Sequence, residues 1–244
     1  MARAVILVHA ECEGPGRLAK VLTDEGFSLD VRAVHRGDEV PSVLDPGALL
    51  VVMGGSMGVG DRNDPEYAFL GQEIELLDRR VRDRAPVLGI CLGAQLLAHA
   101  AGARVYPMRT RMPRGAHYEV GWGDVHFEPS RRRVLEGMPD AAPMLHWHGD
   151  TFDLPPGARR LAWSRACEQQ AFQIHDRLFG LQFHAEVDVS DIEGFLRGDA
   201  EFVVRANGPA GIDRVRRDTE RHFARFEAVS ERLLRNVVRE MVSS

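Results

Sequence analysis

The chain is 244 residues long, carries a formal net charge of −5 at pH 7, and is 44% hydrophobic and 27% charged. That balance is ordinary for a soluble globular protein, and the acidic excess argues against a general binder of nucleic acid or of anionic membranes. The length predicts one α/β domain over residues 1–244.

Its three cysteines, Cys12, Cys91 and Cys167, are odd in number and scattered, which suits a reducing compartment better than a disulfide framework. The first apolar run, residues 4–8, is too short for a signal-peptide core. No stretch approaches membrane-spanning length. A cytoplasmic location is therefore expected.

Residues 4–9 read as a first buried strand. Gly14, Pro15 and Gly16 break the chain, and Leu18, Val21 and Leu22 then recur at helical spacing until Gly26 ends the element. Residues 28–34 suggest a second strand and residues 49–53 a third. A glycine-rich loop, Gly54-Gly55-Ser56-Met57-Gly58-Val59-Gly60, follows at the carboxyl end of that third strand.

Asp64 and Pro65 have the form of an N-cap and first turn, opening a helix to about Arg84. Residues 87–90 form a short fourth strand leading straight into Cys91, and residues 92–101 the next helix. Strands alternating with helices in this way predict βαβ units and a parallel sheet.

Between Val105 and His184 the segments shorten and take β character, at 118–122, 125–127, 171–174 and 179–183. Antiparallel pairing at one edge is expected. Beyond Ile212, the residues Phe223, Phe226, Leu233, Val237 and Met241 share one helical stripe. A helical extension over about 190–244 results, its apolar stripe packing on the protein's own sheet and its Arg-rich face solvated.

Gly89-Ile90-Cys91-Leu92-Gly93 sits between a buried strand and a helix, the setting of a nucleophile elbow with cysteine in place of serine. Glycines at 89 and 93 fit a turn that presses backbone segments together. A helix N-terminus favours thiolate over thiol, and the N–H of Leu92 would face a developing oxyanion. A lone cysteine is more often an inert small hydrophobe, but the flanking glycines reverse that preference.

Phe183-His184-Ala185-Glu186 supplies a partner at the end of a predicted strand. Residues two apart on extended backbone face one side. Glu186 can then fix the tautomer of His184 while the other ring nitrogen faces Cys91.

Together, Gly89-Ile90-Cys91-Leu92-Gly93-Ala94-Gln95, the late His184-x-Glu186 and the Gly54-Gly55-Ser56 loop resemble the class I, triad-type glutamine amidotransferases, over about residues 4–190. The resemblance implies a flavodoxin-like fold: an open, mostly parallel sheet with helices on both faces and an antiparallel edge. It implies hydrolysis of the glutamine γ-amide through a glutamyl thioester, with Cys91 as nucleophile, His184 as acid and base, and Glu186 orienting it.

By the same resemblance Gly55, with Gly54 and Ser56, belongs to the oxyanion-hole loop, and Gln95 holds the substrate glutamine. Trp147-His148-Gly149-Asp150 resembles the Ser-His-Gly-Asp stretch near the substrate in GMP synthase. Here Trp147 replaces the small polar residue, a change that would reshape the pocket. Glu119-Val120-Gly121-Trp122 and the stretch from His9 to Gly16 resemble stand-alone relatives of the GMP synthase glutaminase domain.

Another reading makes His146, His148 and Asp150 a metal site, since alternate strand residues can share an ion. The pattern lacks a further matched ligand pair, so neither a metal nor an organic cofactor is expected. No nucleotide-binding loop follows, so any ammonia-using step is expected on another polypeptide, a separate synthetase, or not at all. Two alternatives to a stand-alone hydrolase stand: a glutaminase subunit feeding such a synthetase, and a non-catalytic binding protein on the same fold.

Overall fold

The computed structural model describes residues 2–108, 118–129 and 132–242. Its central element is a nine-stranded sheet in the order β2-β1-β3-β4-β11-β10-β9-β6-β7. The parallel half comprises β1 (Ala2–Val8), β2 (Phe27–Ala33), β3 (Leu49–Val52), β4 (Val87–Ile90) and β11 (Leu178–Leu181). The antiparallel half contains β10 (Ala171–Ile174), β9 (Ala158–Ser164), β6 (Glu119–Phe127) and β7 (Ala141–His148). A small ribbon pairs β5 (Val105–Pro107) with β8 (Asp150–Phe152).

Every residue from Ala4 to Val8 is buried, because β1 lies inside the sheet with both faces covered. Its alternation divides two cores. Ala4, Ile6 and Val8 point to one cluster, where they meet Leu18, Val21 and Leu22 of α1 (Gly16–Asp24) and Phe226, Leu233 and Val237 of α6 (Gly211–Val242). Val5 and Leu7 point to the other, against Leu70, Leu76 and Leu77 of α2 (Ala68–Arg82) and the apolar α3 (Leu92–Ala100). Helices α4 (Val189–Gly198) and α5 (Ala200–Asn207) lead into α6.

Three sequence expectations shift. Asp64 does cap a turn, accepting from the N–H of Glu66, but the turn at Pro65–Tyr67 is 3-10 and α2 proper starts at Ala68. The segments at 118–122 and 125–127 are one strand, β6, because Gly123 and Asp124 stay paired to Met144 and Pro143. The run at 179–183 leaves the sheet after Leu181, and beyond it His184 keeps a single bridge to Leu145. The stripe on α6 packs inward: Phe226, Leu233, Val237 and Met241 are buried and Phe223 lies at their margin.

Candidate active site

Cys91 has φ 51° and ψ −107°, a conformation that a residue with a side chain adopts only under constraint. The constraint is visible on three sides. The N–H of Cys91 donates to the Leu181 carbonyl of β11 at 2.8 Å, the N–H of Gly93 donates to Met53 at 3.2 Å, and the Cys91 carbonyl accepts from Gln95 at 3.1 Å. A Cβ on Gly89 would stand 2.3 Å from the Gly93 carbonyl oxygen, so the turn closes only with glycine there. Cys91 thus heads α3 with the N–H of Leu92 in the first turn, where no preceding helical carbonyl can accept it.

His184 and Glu186 are almost fully buried, and His184 Nδ1 donates to Glu186 Oε1 at 2.8 Å. The ring's other nitrogen, Nε2, has no hydrogen-bond partner of standard geometry among the described residues, and His184 and Cys91 lie close enough to perturb each other's protonation. Burial alone would lower the pKa of His184; the charges of Glu186 and Cys91 outweigh it and raise it well above the usual imidazole value. Burial pushes the Cys91 thiol up, against the pull of His184. The thiol also points to the Trp147 carbonyl oxygen, 3.6 Å away. Such a cluster holds a proton on the imidazole and passes it to or from whatever meets the sulfur.

A cavity of about 300 Å³ opens over Cys91, the lower end of the range for small-molecule sites. Gly55, Ser56, Leu92, Gln95, Trp147, His148 and Asp150, all singled out in the sequence, border it. Gly54 stands behind that wall: a Cβ there would fall 2.0 Å from Glu13 Oε2 and 3.1 Å from His184 Cε1. The Gly54 carbonyl accepts from His9 Nδ1 at 2.9 Å, and His9 Nε2 bridges both oxygens of Glu73 at 2.9 and 3.0 Å. Gln95 reaches the sulfur through an intermediary, donating to Gln182 Oε1 at 3.3 Å while Gln182 Nε2 lies 3.8 Å from Cys91 Sγ. Trp147 Nε1 donates to Asp199 Oδ2 at 2.9 Å, which fixes the indole against α5.

Several residues here have no sequence signal of their own. Glu13 borders the cavity and is buried, and that burial, only partly offset by His184 and His9, raises its pKa to about 7. Glu73, Gln182 and Asp199 reach the site only through tertiary packing. In the alternative grouping of His146, His148 and Asp150, Asp150 turns its carboxylate toward Gly58 and offers His148 its backbone carbonyl, whereas Glu119 approaches both histidines.

A mixed sheet with a strained cysteine elbow at the carboxyl ends of its parallel strands defines an α/β enzyme scaffold. The chain belongs to the family described as glutamine amidotransferase class-I, whose pattern matches residues 17–196. It is 28% identical over 234 residues to the glutamine amidotransferase-like protein YfeJ of Salmonella typhimurium, covering 96% of this chain and 95% of that one. It is 34% identical over 192 residues to a glutamine-hydrolysing GMP synthase of Streptococcus pneumoniae, covering 78% of this chain but 32% of the synthase.

Among solved structures, a glutamine amidotransferase from Thermotoga maritima superposes with a TM-score of 0.80 at 29% identity, over 100% of this chain and 99% of that one. A second, from Methylobacillus flagellatus, gives 0.79 at 26% identity over 98% and 94%. The protein is accordingly an amidohydrolase or amidotransferase of the glutamine type. None of its described helices is long and apolar enough to cross a membrane.

Proposed function

We propose that the protein hydrolyses the γ-amide of glutamine or of a γ-glutamyl amide with Cys91 as nucleophile. His184 takes the thiol proton as the sulfur attacks the amide carbonyl, and the N–H groups of Leu92 and Gly55 receive the negative charge on oxygen. The C–N bond then breaks as His184 returns the proton to the departing nitrogen, leaving a glutamyl thioester. Water, deprotonated by His184, cleaves the thioester to glutamate and restores the thiol. Glu186 holds the imidazole in place throughout.

The observation that carries this reading is the His184 ring seated between Glu186 and the sulfur of a strained elbow. Among the described residues, the cavity wall holds the carboxylates Glu13, Asp150 and Asp199 and neither lysine nor arginine. That charge pattern suits the α-ammonium group of a glutamyl substrate.

Ammonia or amine release from a panel of glutamine and γ-glutamyl amides is the test. Cys91→Ala is expected to keep the wild-type circular dichroism and melting profile and to lose release entirely; activity retained by the folded variant sinks the reading. A second reading, a glutaminase subunit for a separate synthetase, is favoured by the match to about a third of the GMP synthase length. Glutaminase turnover that rises sharply on adding such a synthetase chain selects it.

A further inference from the structure

Strands β6 and β7 pair so that Glu119 lies opposite His148 and Gly121 opposite His146. His146 and His148, two apart on β7, share one face. Gly123 leaves room for the first of them, since a Cβ there would press to 3.2 Å from His146 Cδ2 and Nε2. Both histidines are buried, exposed by 2% and 3%. One ring nitrogen from each and a carboxylate oxygen of Glu119 lie within 4.8 Å of one another.

Each imidazole already uses one nitrogen elsewhere. His146 Nε2 donates to the Gly123 carbonyl at 3.3 Å and His148 Nδ1 to the Asp150 carbonyl at 3.0 Å. A carbonyl only accepts, so in the neutral rings His146 Nδ1 and His148 Nε2 carry the lone pairs. Neither has a hydrogen-bond partner among the described residues, although they stand 3.9 and 3.2 Å from Glu119 Oε2.

With both rings neutral, two buried lone pairs and a carboxylate that is largely covered, 13% exposed at its side chain, face one another with no cation among them, an unfavourable set. The carboxylate is nonetheless held in place: the Ser164 hydroxyl donates to Glu119 Oε1 at 2.7 Å and Gln170 Nε2 to Oε2 at 2.6 Å. Ring N–H groups parked on backbone carbonyls and a hydrogen-bonded carboxylate are how proteins orient metal ligands.

We propose that Glu119, His146 and His148 bind one divalent transition-metal ion of the zinc type, through Oε2, Nδ1 and Nε2. Two imidazoles and a carboxylate form a donor set that suits this ion. Donor atoms on one tetrahedral zinc stand about 3.3 Å apart when each bond is about 2.0–2.1 Å. The Glu119 to His148 separation of 3.2 Å meets that spacing, and a turn of the His146 ring closes the 3.9 Å one. His148 borders the cavity over Cys91, which gives the ion a way in. Once bound, it clamps β6 to β7 beside the pocket wall built by Trp147 and Asp150, a positioning role that does not depend on the amide chemistry.

The test takes the full chain, strips it with a chelator, exposes it to Zn²⁺ or Co²⁺ and removes unbound metal by gel filtration. One equivalent retained per chain is expected, with visible ligand-field bands for Co²⁺ and no sulfur-to-cobalt charge-transfer band. Cys91 and His184 are rival ligands, so Cys91→Ala is measured in parallel and is expected to keep the ion. Folded His146→Gln and Glu119→Gln should weaken binding on the order of 100-fold. If those variants do not fold, zinc-edge X-ray absorption on the wild-type protein decides, with nitrogen and oxygen neighbours alone expected. No retained metal, a sulfur neighbour, or undiminished binding by folded His146→Gln overturns the proposal. Loss of amide hydrolysis leaves every one of these readouts unchanged.

Discussion

A Cβ on Gly93 would stand 1.9 Å from the carbonyl oxygen of Val52. Helix α3 therefore starts in backbone contact with the end of β3, and neither side of that contact is a flexible side chain. Gly93→Ala must push the elbow off its strand, an overpacking that costs about 1–3 kcal/mol or more. A lower urea midpoint and at least a tenfold fall in ammonia release are expected. A variant with unchanged midpoint and turnover would show that the contact does not position Cys91.

Glu186 supports His184 from behind at 2.8 Å. Glu186→Gln keeps the shape but removes the charge that favours the imidazolium formed when His184 takes up a proton. Amide hydrolysis is expected to fall on the order of 10²–10⁴-fold, with labelling of Cys91 by a glutamine-like electrophile slowed as well. Full turnover in the variant would remove Glu186 from the proposed chemistry.

Glu13 makes a pH prediction. Its folded pKa of about 7 lies above the ordinary glutamate value of 4.5, so between those limits the folded chain holds more protons than the unfolded one. Stability then falls as pH rises through that window, by at most about 3 kcal/mol from this group. Glu13→Gln should flatten the decline, gaining relative to wild type at pH 8 and little at pH 4. Parallel urea curves that keep one offset at both pH values would rule this out.

The buried His9 and Glu73 pair acts in the same sense. Glu73 outweighs the effect of burial and raises the pKa of His9 above 6.5, so its stabilisation is full below that value and fades as pH rises through the raised one. Glu73→Gln leaves a buried imidazolium without its partner, a loss of about 3–5 kcal/mol. Denaturation at pH 6 and pH 9 should show the larger deficit at pH 6. Because His9 also holds the Gly54 carbonyl, KM for the amide is expected to rise.

The parallel half of the fold was readable because β1, β3 and β4 are continuous apolar runs, and the glycines around Cys91 announce a close backbone crossing. Strand β7 was harder to see: Pro143 interrupts its pattern, yet β7 ends the sheet, where a missing N–H costs little. The approach of Glu119 to His148 depends on cross-strand register, which leaves no mark at fixed spacing. Glu13 lies in a loop and reads as a surface carboxylate; only the walls around it, Gly54 and His184, bury it.

One backbone hydrogen bond ties Cys91 to Leu181, and the same chain reaches His184 three residues later. Cys91 and His184 are thus indexed to each other by a single strand register, while Trp147, Asp150, Asp199 and Phe202 line the cavity from other elements. The geometry around the sulfur can stay constant as those lining residues drift, so a lineage built on this frame is free to change the molecule it admits without rebuilding the turn that carries the thiol.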